Sequence, residues 1–455
     1  MTAEPTLALA RFVAGADPRR LPGPVRHEAK RALVNFLGCA IGASRHDTVS
    51  RALAALSPFT GPPQATLLGR SERLDCLHAA LLNGMASHTF DFDDTHLKTI
   101  IHPSGPVAAA LLALAEYLPV SGVTWIHAFA LGVEVECRVG SAVYPSHYDI
   151  GWHITGTAGV FGAAAAAGRL LGLSEAQLVW ALGIAATQAS GLREMFGSMC
   201  KPLHPGLAAR NGMVAALLAR ENFTSTTQGI EGRRGFANVL ATERDYARIS
   251  GGLGETWELA ANSYKPFACG VVVHPVIDAC LQLRREQHLA ADAIEAIELT
   301  VHPLVLELTG KKTPRVGLEG KFSVFHSAAV AIIDGAAGEA QYSDAHVADP
   351  RVVALRERVV VVVDPALAED AARVRIRLKD GRVLERFVAH ALGSLARPMS
   401  DRDLEDKFRA LCAPILATEA IERLLSACWQ LEQSPDAGAL PRLSVPRRQG
   451  AAAIA

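Results

Sequence analysis

Between Gly156 and Gly168 the chain reads GTAGVFGAAAAAG, thirteen residues in which only Thr157, Val160 and Phe161 carry more than a methyl group. Alanine favours helix, and side chains this small let neighbouring helix axes approach at the short end of the usual ~8–10 Å. The run stops at His153 and Arg169 and has too little length and volume to span a bilayer. A helix of this kind must be enclosed by other helices, so the segment predicts a large all-helical core. Composition agrees: half of the 455 residues are hydrophobic and only 6% are aromatic. With 45 Lys+Arg against 46 Asp+Glu, neither a disordered chain nor a protein held electrostatically on nucleic acid or a membrane surface is expected.

From residue 6 to about 260 the apolar spacing reads as successive helices. Ser104 precedes one over Val107–Tyr117, and Gly172 ends the Gly/Ala helix. Ser174 with Gln177 forms a capping box for the next, and another runs from Leu207 to Arg220. The pattern then changes. Ile297, Leu299 and Val301 alternate with other residues, as do Val374, Ile376 and Leu378, and Lys379–Arg382 turns the chain into Val383–Val388. Val359–Val363 reads as a buried strand and Phe325–Gly335 as a helix. Helical signals return at Ser400 and Thr418. The expected fold is mainly α with an α+β part. A large helical domain (1–262 with 396–433) carries a smaller α+β lid (263–395) inserted before the C-terminal helices, and the tail 434–455 is loose.

Chemistry concentrates in a few places. His88-Thr-Phe-Asp91-Phe-Asp93-Asp94-Thr95-His96, followed by His102-Pro-Ser-Gly, packs three carboxylates and three imidazoles into fifteen residues. If this stretch is helical, Asp91 and Asp94 share a face and Asp93 does not; a solvated helix end would use the same residues. His153 stands at the mouth of the Gly/Ala helix, whose free N–H groups favour an anion. Lys201 and Lys265 each precede a proline, which predicts an extended lysine outside any helix. Among apolar neighbours, each needs an anionic partner or gives up its proton more readily. The eight cysteines lack CxxC spacing, which predicts free thiols in a reducing compartment and no metal framework. No P-loop, GxGxxG, GxSxG or HExxH occurs.

The segments NGMASHTFDFDDTH (83–96), HPSG (102–105), GWHITGTAGVFGAAAAAGRLLGL (151–173) and GIAATQASGL (183–192) stand in this order along the chain. KPLHPGLAARNG (201–212), EGRRGF (231–236), YKPFACG (264–270) and KFSVFHSAA (321–329) follow. Together they resemble the MmgE/PrpD family, whose activities include 2-methylcitrate dehydration, cis-aconitate decarboxylation and iminodisuccinate epimerisation. The resemblance implies a usually homodimeric enzyme acting on a small di- or tricarboxylate without cofactor or metal, and the unpaired cysteines place it in the cytoplasm. It implies a cleft lined by Asp93, Thr95, His102, His153, Lys201 and Lys265. His102, His153 and Asp93 would be catalytic; Thr95, Lys201 and Lys265 would bind substrate. One departure stands out: the dehydratase and decarboxylase branches carry KFSxxY, whereas this chain has His326 at the tyrosine position, a further catalytic candidate. Dehydration is the expected reaction, with epimerisation and decarboxylation as alternatives, and a non-catalytic polycarboxylate-binding protein as the reading from another class.

Overall fold

The computed structural model describes residues 4–446. Its helical part is built on α1 (Gly23–Gly42), α2 (Cys76–Thr89), α3 (Ser104–Tyr117), α4 (Gly122–Val143), α5 (Ile154–Leu170), α6 (Glu175–Ala186) and α7 (Cys200–Arg220). The Gly/Ala helix α5 is buried from Ile154 to Gly168 and packs against α3, α4, α6 and α7. Its small residues are required there: a Cβ on Gly212 of α7 would lie 2.5 Å from the Ala163 Cβ. The same device brings α2 against α7, since a Cβ on Gly84 would meet the Gly206 Cα at 2.9 Å. That crossing sets the C-terminal end of α2 beside the N-terminal turn of α7. Both ends carry residues of the candidate site.

A two-stranded antiparallel pair, β1 (Asp94–His96) and β2 (Asn262–Tyr264), joins the acidic motif to the segment preceding Lys265. Beyond it come α8 (His274–Gln287), β3 (Ile294–Val301), α9 (Pro303–Thr309), α10 (Val324–Asp334), β4 (Val359–Val363), β5 (Ala372–Leu378) and β6 (Val383–Val388). These strands form one sheet in the order β4-β3-β5-β6, with β3 parallel to β4 and antiparallel to β5. Val374, Ile376 and Leu378 face the second core with α8 and α10, while Arg373, Arg375 and Arg377 alternate outward. The chain returns to the first core through α11 (Asp401–Cys412) and α12 (Thr418–Trp429), whose Leu404, Phe408, Ile421 and Leu424 are buried there. The architecture is mainly α with an α+β part. Among the described residues no helix is long and apolar enough to cross a membrane.

Four expectations need correction. β4 is an edge strand rather than a buried one, with Val360 55% exposed; a run of valines cannot reveal which face meets the core. The acidic stretch is not helical, because α2 ends at Thr89 and Asp91 takes a left-handed φ of 51°. Lys201 lies inside the first turn of α7 instead of in an extended loop, so that helix begins at Cys200 and not at Leu207. Pro202 is tolerated so close to the start because the amide it lacks would have no intrahelical partner there. Residues 434–446 are packed: the Ala437 amide donates to the Val120 carbonyl at 2.8 Å and Leu440 is buried. Residues 447–455 of the expected tail lie outside the described residues.

Candidate active site

The turn at Asp91 points its carboxylate at two lysines from distant parts of the chain. Lys201 Nζ donates to Asp91 Oδ1 at 2.6 Å, and Lys265 Nζ donates to the same oxygen at 3.0 Å and to the Asp91 carbonyl at 2.9 Å. All three side chains are buried. Burial would raise the Asp91 carboxyl, but the two ammonium groups hold it far below the ordinary carboxylate range. Desolvation lowers Lys201, opposed by Asp91.

Asp93 faces the imidazoles. Its Oδ2 lies 2.7 Å from His88 Nδ1 and its Oδ1 lies 3.2 Å from His102 Nδ1. Against the upward push of burial, His102 and His88 keep this carboxyl well below its usual value. Burial drives His88 itself down to about 3, so it is neutral near pH 7. His102 Nδ1 also lies 2.8 Å from the Asp94 carbonyl. A carbonyl can only accept, so Nδ1 carries the hydrogen, and neutral His102 has its lone pair on Nε2. The Thr155 hydroxyl accepts from the His102 amide at 3.1 Å, and Thr95 Oγ1 stands 3.4 Å from His102 Nδ1.

Asp91, Thr95, His102, His153, Lys201 and Lys265 line one cavity of about 40 Å³, walled by Tyr148, Phe196, Phe322 and aliphatic side chains. A wider depression of about 670 Å³ adjoins it across Phe196, Leu308 and Phe322. Asp93 stands directly behind His102. His326 is not brought here: its Nε2 lies 2.9 Å from the Gln341 carbonyl, its ring packs on Tyr342, and it does not line the cavity. Burial lowers it to about 4. The KFS register therefore places this imidazole in the second core, away from the cluster.

Several participants escaped the sequence reading. His204, three residues past Lys201, puts its Nδ1 2.9 Å from His153 Nδ1, the i+3 spacing that places two helical residues on one face. Two further buried ammonium groups tie the loops together. Lys407 of α11 donates to the carbonyls of Phe92 (2.6 Å) and Lys265 (2.8 Å). Lys321 donates to those of Phe90 (2.8 Å) and Ala268 (2.9 Å). Each lysine thus spans from the acidic loop to the Lys265 loop, one on either side of Asp91. Nothing near position 407 in the sequence signals this, since Lys407 sits in an ordinary amphipathic helix.

His88, Asp91, Asp93 and His102 each offer one donor atom within 4.8 Å of the others, a spacing a metal ion could accept. The two carboxylates are already engaged, however, Asp91 by two ammonium groups and Asp93 by the two imidazoles. A divalent cation would have to displace or face Lys201 and Lys265. The arrangement reads as a hydrogen-bonded charge network.

Comparison with known proteins identifies the family. The MmgE/PrpD N-terminal domain matches residues 7–249 and the MmgE/PrpD C-terminal domain matches residues 267–431. The human cis-aconitate decarboxylase is 29% identical over 458 residues, covering 96% of this chain and 94% of the relative. The Mus musculus cis-aconitate decarboxylase is 28% identical over 465 residues, with 96% and 93% covered. The 2-methylcitrate dehydratase of Cupriavidus necator is 26% identical over 433 residues, 88% of each chain. With both halves matched in order, the chain belongs to the MmgE/PrpD family.

Proposed function

We propose that this protein is a lyase acting on a small polycarboxylate by proton transfer at a carbon next to a carboxylate. The observation that carries the reading is the pairing of two buried lysines with a single carboxylate at the wall of a small cavity. Lys201 spends one of its three N–H groups on Asp91 and Lys265 spends two. The donors left over stand in a low-dielectric space where acid oxygens are the natural acceptors. In this reading Lys201, Lys265 and the Thr95 hydroxyl hold the substrate's carboxylates. His102, oriented by Asp93 and the Asp94 carbonyl, transfers the proton through Nε2. His153, held by His204, is the second proton-transfer group.

The relatives favour decarboxylation of a cis-aconitate-like acid as the first choice. There the carboxylate allylic to the double bond leaves as CO2, and its electron pair becomes the new double bond. The old double bond takes up a proton at its far carbon, delivered by an imidazole. Dehydration is the second reading, supported by the dehydratase relative: one imidazole removes the proton and the other protonates the departing hydroxyl.

Incubation of cis-aconitate, 2-methylcitrate and citrate in deuterated water separates these readings. Release of CO2 with one deuterium in the product supports decarboxylation, and loss of water supports dehydration. Exchange without loss would identify an epimerase. No exchange and no product with any acid would overturn the enzyme reading and leave a binding protein. Turnover is expected to survive exhaustive chelation, because the carboxylates that would hold a metal are taken by lysine and histidine.

A further inference from the structure

We propose that the acid processed here carries an uncharged, mainly apolar side chain longer than a methyl group, seated in a second chamber beside Lys265. This rests on the polycarboxylate reading above and extends it to the substrate's other end.

The first observation is size. The cationic cavity measures about 40 Å³. One water takes ~10–15 Å³ on such a measure, so only the reacting end of an acid fits within it. The rest must project from it. The second observation is direction. A chamber of about 240 Å³ shares Ile100, Lys265, Val271 and Val272 with the cavity and continues to Leu304 and Leu392. A chain leaving the carboxylates at Lys265 therefore meets aliphatic walls. The third observation is charge. Glu369 and Asp370 also line the chamber, and no lysine or arginine other than Lys265 does. A side chain ending in a further carboxylate would be repelled there, whereas an alkyl chain is indifferent to the two acids. The wider depression on the cavity's other side differs: Arg193 and Lys311 line it together with Glu194 and Glu307.

The fourth observation is an orphaned polar group. His274 lines the same chamber, is 3% exposed, and its Nε2 has no hydrogen-bond partner. Leaving a buried ring nitrogen unpaired is costly, and such groups are usually satisfied by something bound. Burial keeps this imidazole neutral near pH 7, lowered to about 3. Its other nitrogen donates to the Cys269 carbonyl, so the neutral Nε2 is an acceptor and suits a hydroxyl on an otherwise apolar chain.

The experiment is a substrate series: citrate or cis-aconitate, unsubstituted and bearing methyl through pentyl chains, plus one carboxypropyl and one hydroxybutyl member. The expected result is a kcat/KM that rises about threefold or more per methylene until the chamber is full. The carboxypropyl acid should fall below the unsubstituted one. In Leu304→Trp, which fills the chamber from α9, the ratio of butyl to unsubstituted kcat/KM should collapse towards one. His274→Leu should lower the hydroxybutyl acid relative to the butyl acid. A flat or falling series with the unsubstituted acid still turned over would overturn this proposal and leave the lyase reading standing. If no acid is turned over, the lyase reading fails, and the same ranking is then sought in thermal shifts of the protein. Shifts that do not grow with chain length would overturn the chamber proposal as well.

Discussion

The front and the back of the acidic motif hold the same kind of residue with its pKa moved in opposite directions. At the front, Asp91 and Asp93 are buried, yet lysines and histidines keep both carboxyls far below their usual range. At the back, Asp94 accepts from Ser104 Oγ (2.6 Å) and Asn262 Nδ2 (2.7 Å), its other oxygen unpartnered, and burial raises it to about 6. Deeper still, Glu136 of α4 leans over the small residues of α5 with neither oxygen partnered, and burial raises it well above its usual value. Burial is nearly the same throughout. What differs is the presence of a cation, so charge in this region is decided by where four lysines arrive from distant sequence. None of them reaches Glu136, where burial and the nearby Asp94 push the carboxyl well above its usual value.

Four substitutions test that contrast. The largest effect is expected for Asp91→Asn, which strips two buried ammonium groups of their counter-charge. Urea unfolding should show a loss of about 3–5 kcal/mol, and turnover should fall by roughly a thousandfold or more. Lys407→Met comes next. It leaves the Phe92 and Lys265 carbonyls without their shared donor, for about 2–3 kcal/mol. Because the loops lose their register, kcat should drop by about a hundredfold with KM much less changed; a pure KM effect would argue that Lys407 does not position the site.

Asp94→Asn should go the other way. A carboxyl whose folded pKa is about 6, above its unfolded value, contributes its full stability only at pH below about 4. That contribution is lost as pH rises through 6. The asparagine, which can keep the Ser104 bond, should therefore be more stable than the parent at pH 7 by up to about 2 kcal/mol, with the difference vanishing near pH 4. The smallest effect belongs to Glu136→Gln: replacing an already neutral group by a neutral isostere should move the unfolding free energy by no more than about 0.5 kcal/mol. A loss of several kcal/mol there would mean that Glu136 is ionised and that the contrast is wrong.

Local signals carried much of this fold. The capping boxes at Ser174 and Ser400 are present, and the alternations in β3 and β5 are strands whose apolar residues face the second core. The cluster of polar residues between 88 and 105 marked the site because buried charge in such density needs a reason. What could not be read was pairing at a distance. The sequence around Asp91 gives no hint that its partners lie 110 and 174 residues away. Lys201 was misplaced because the rule for a residue before proline describes helix interiors better than first turns. The short KFS motif points to His326, although its position on α10 directs it to Gln341 and not to the cavity. Valine in β4 reported strand and stayed silent on sidedness.

The tie made by Lys407 has a consequence for biosynthesis. Every residue lining the cationic cavity lies before position 323, so a nascent chain has them all before α11 emerges. The Phe92 and Lys265 carbonyls nevertheless wait for an ammonium group that leaves the ribosome about 85 residues later. Translation halted between these points would yield a polypeptide with its chemical groups in hand but its two loops unfastened on that side, and competence would arrive only with α11.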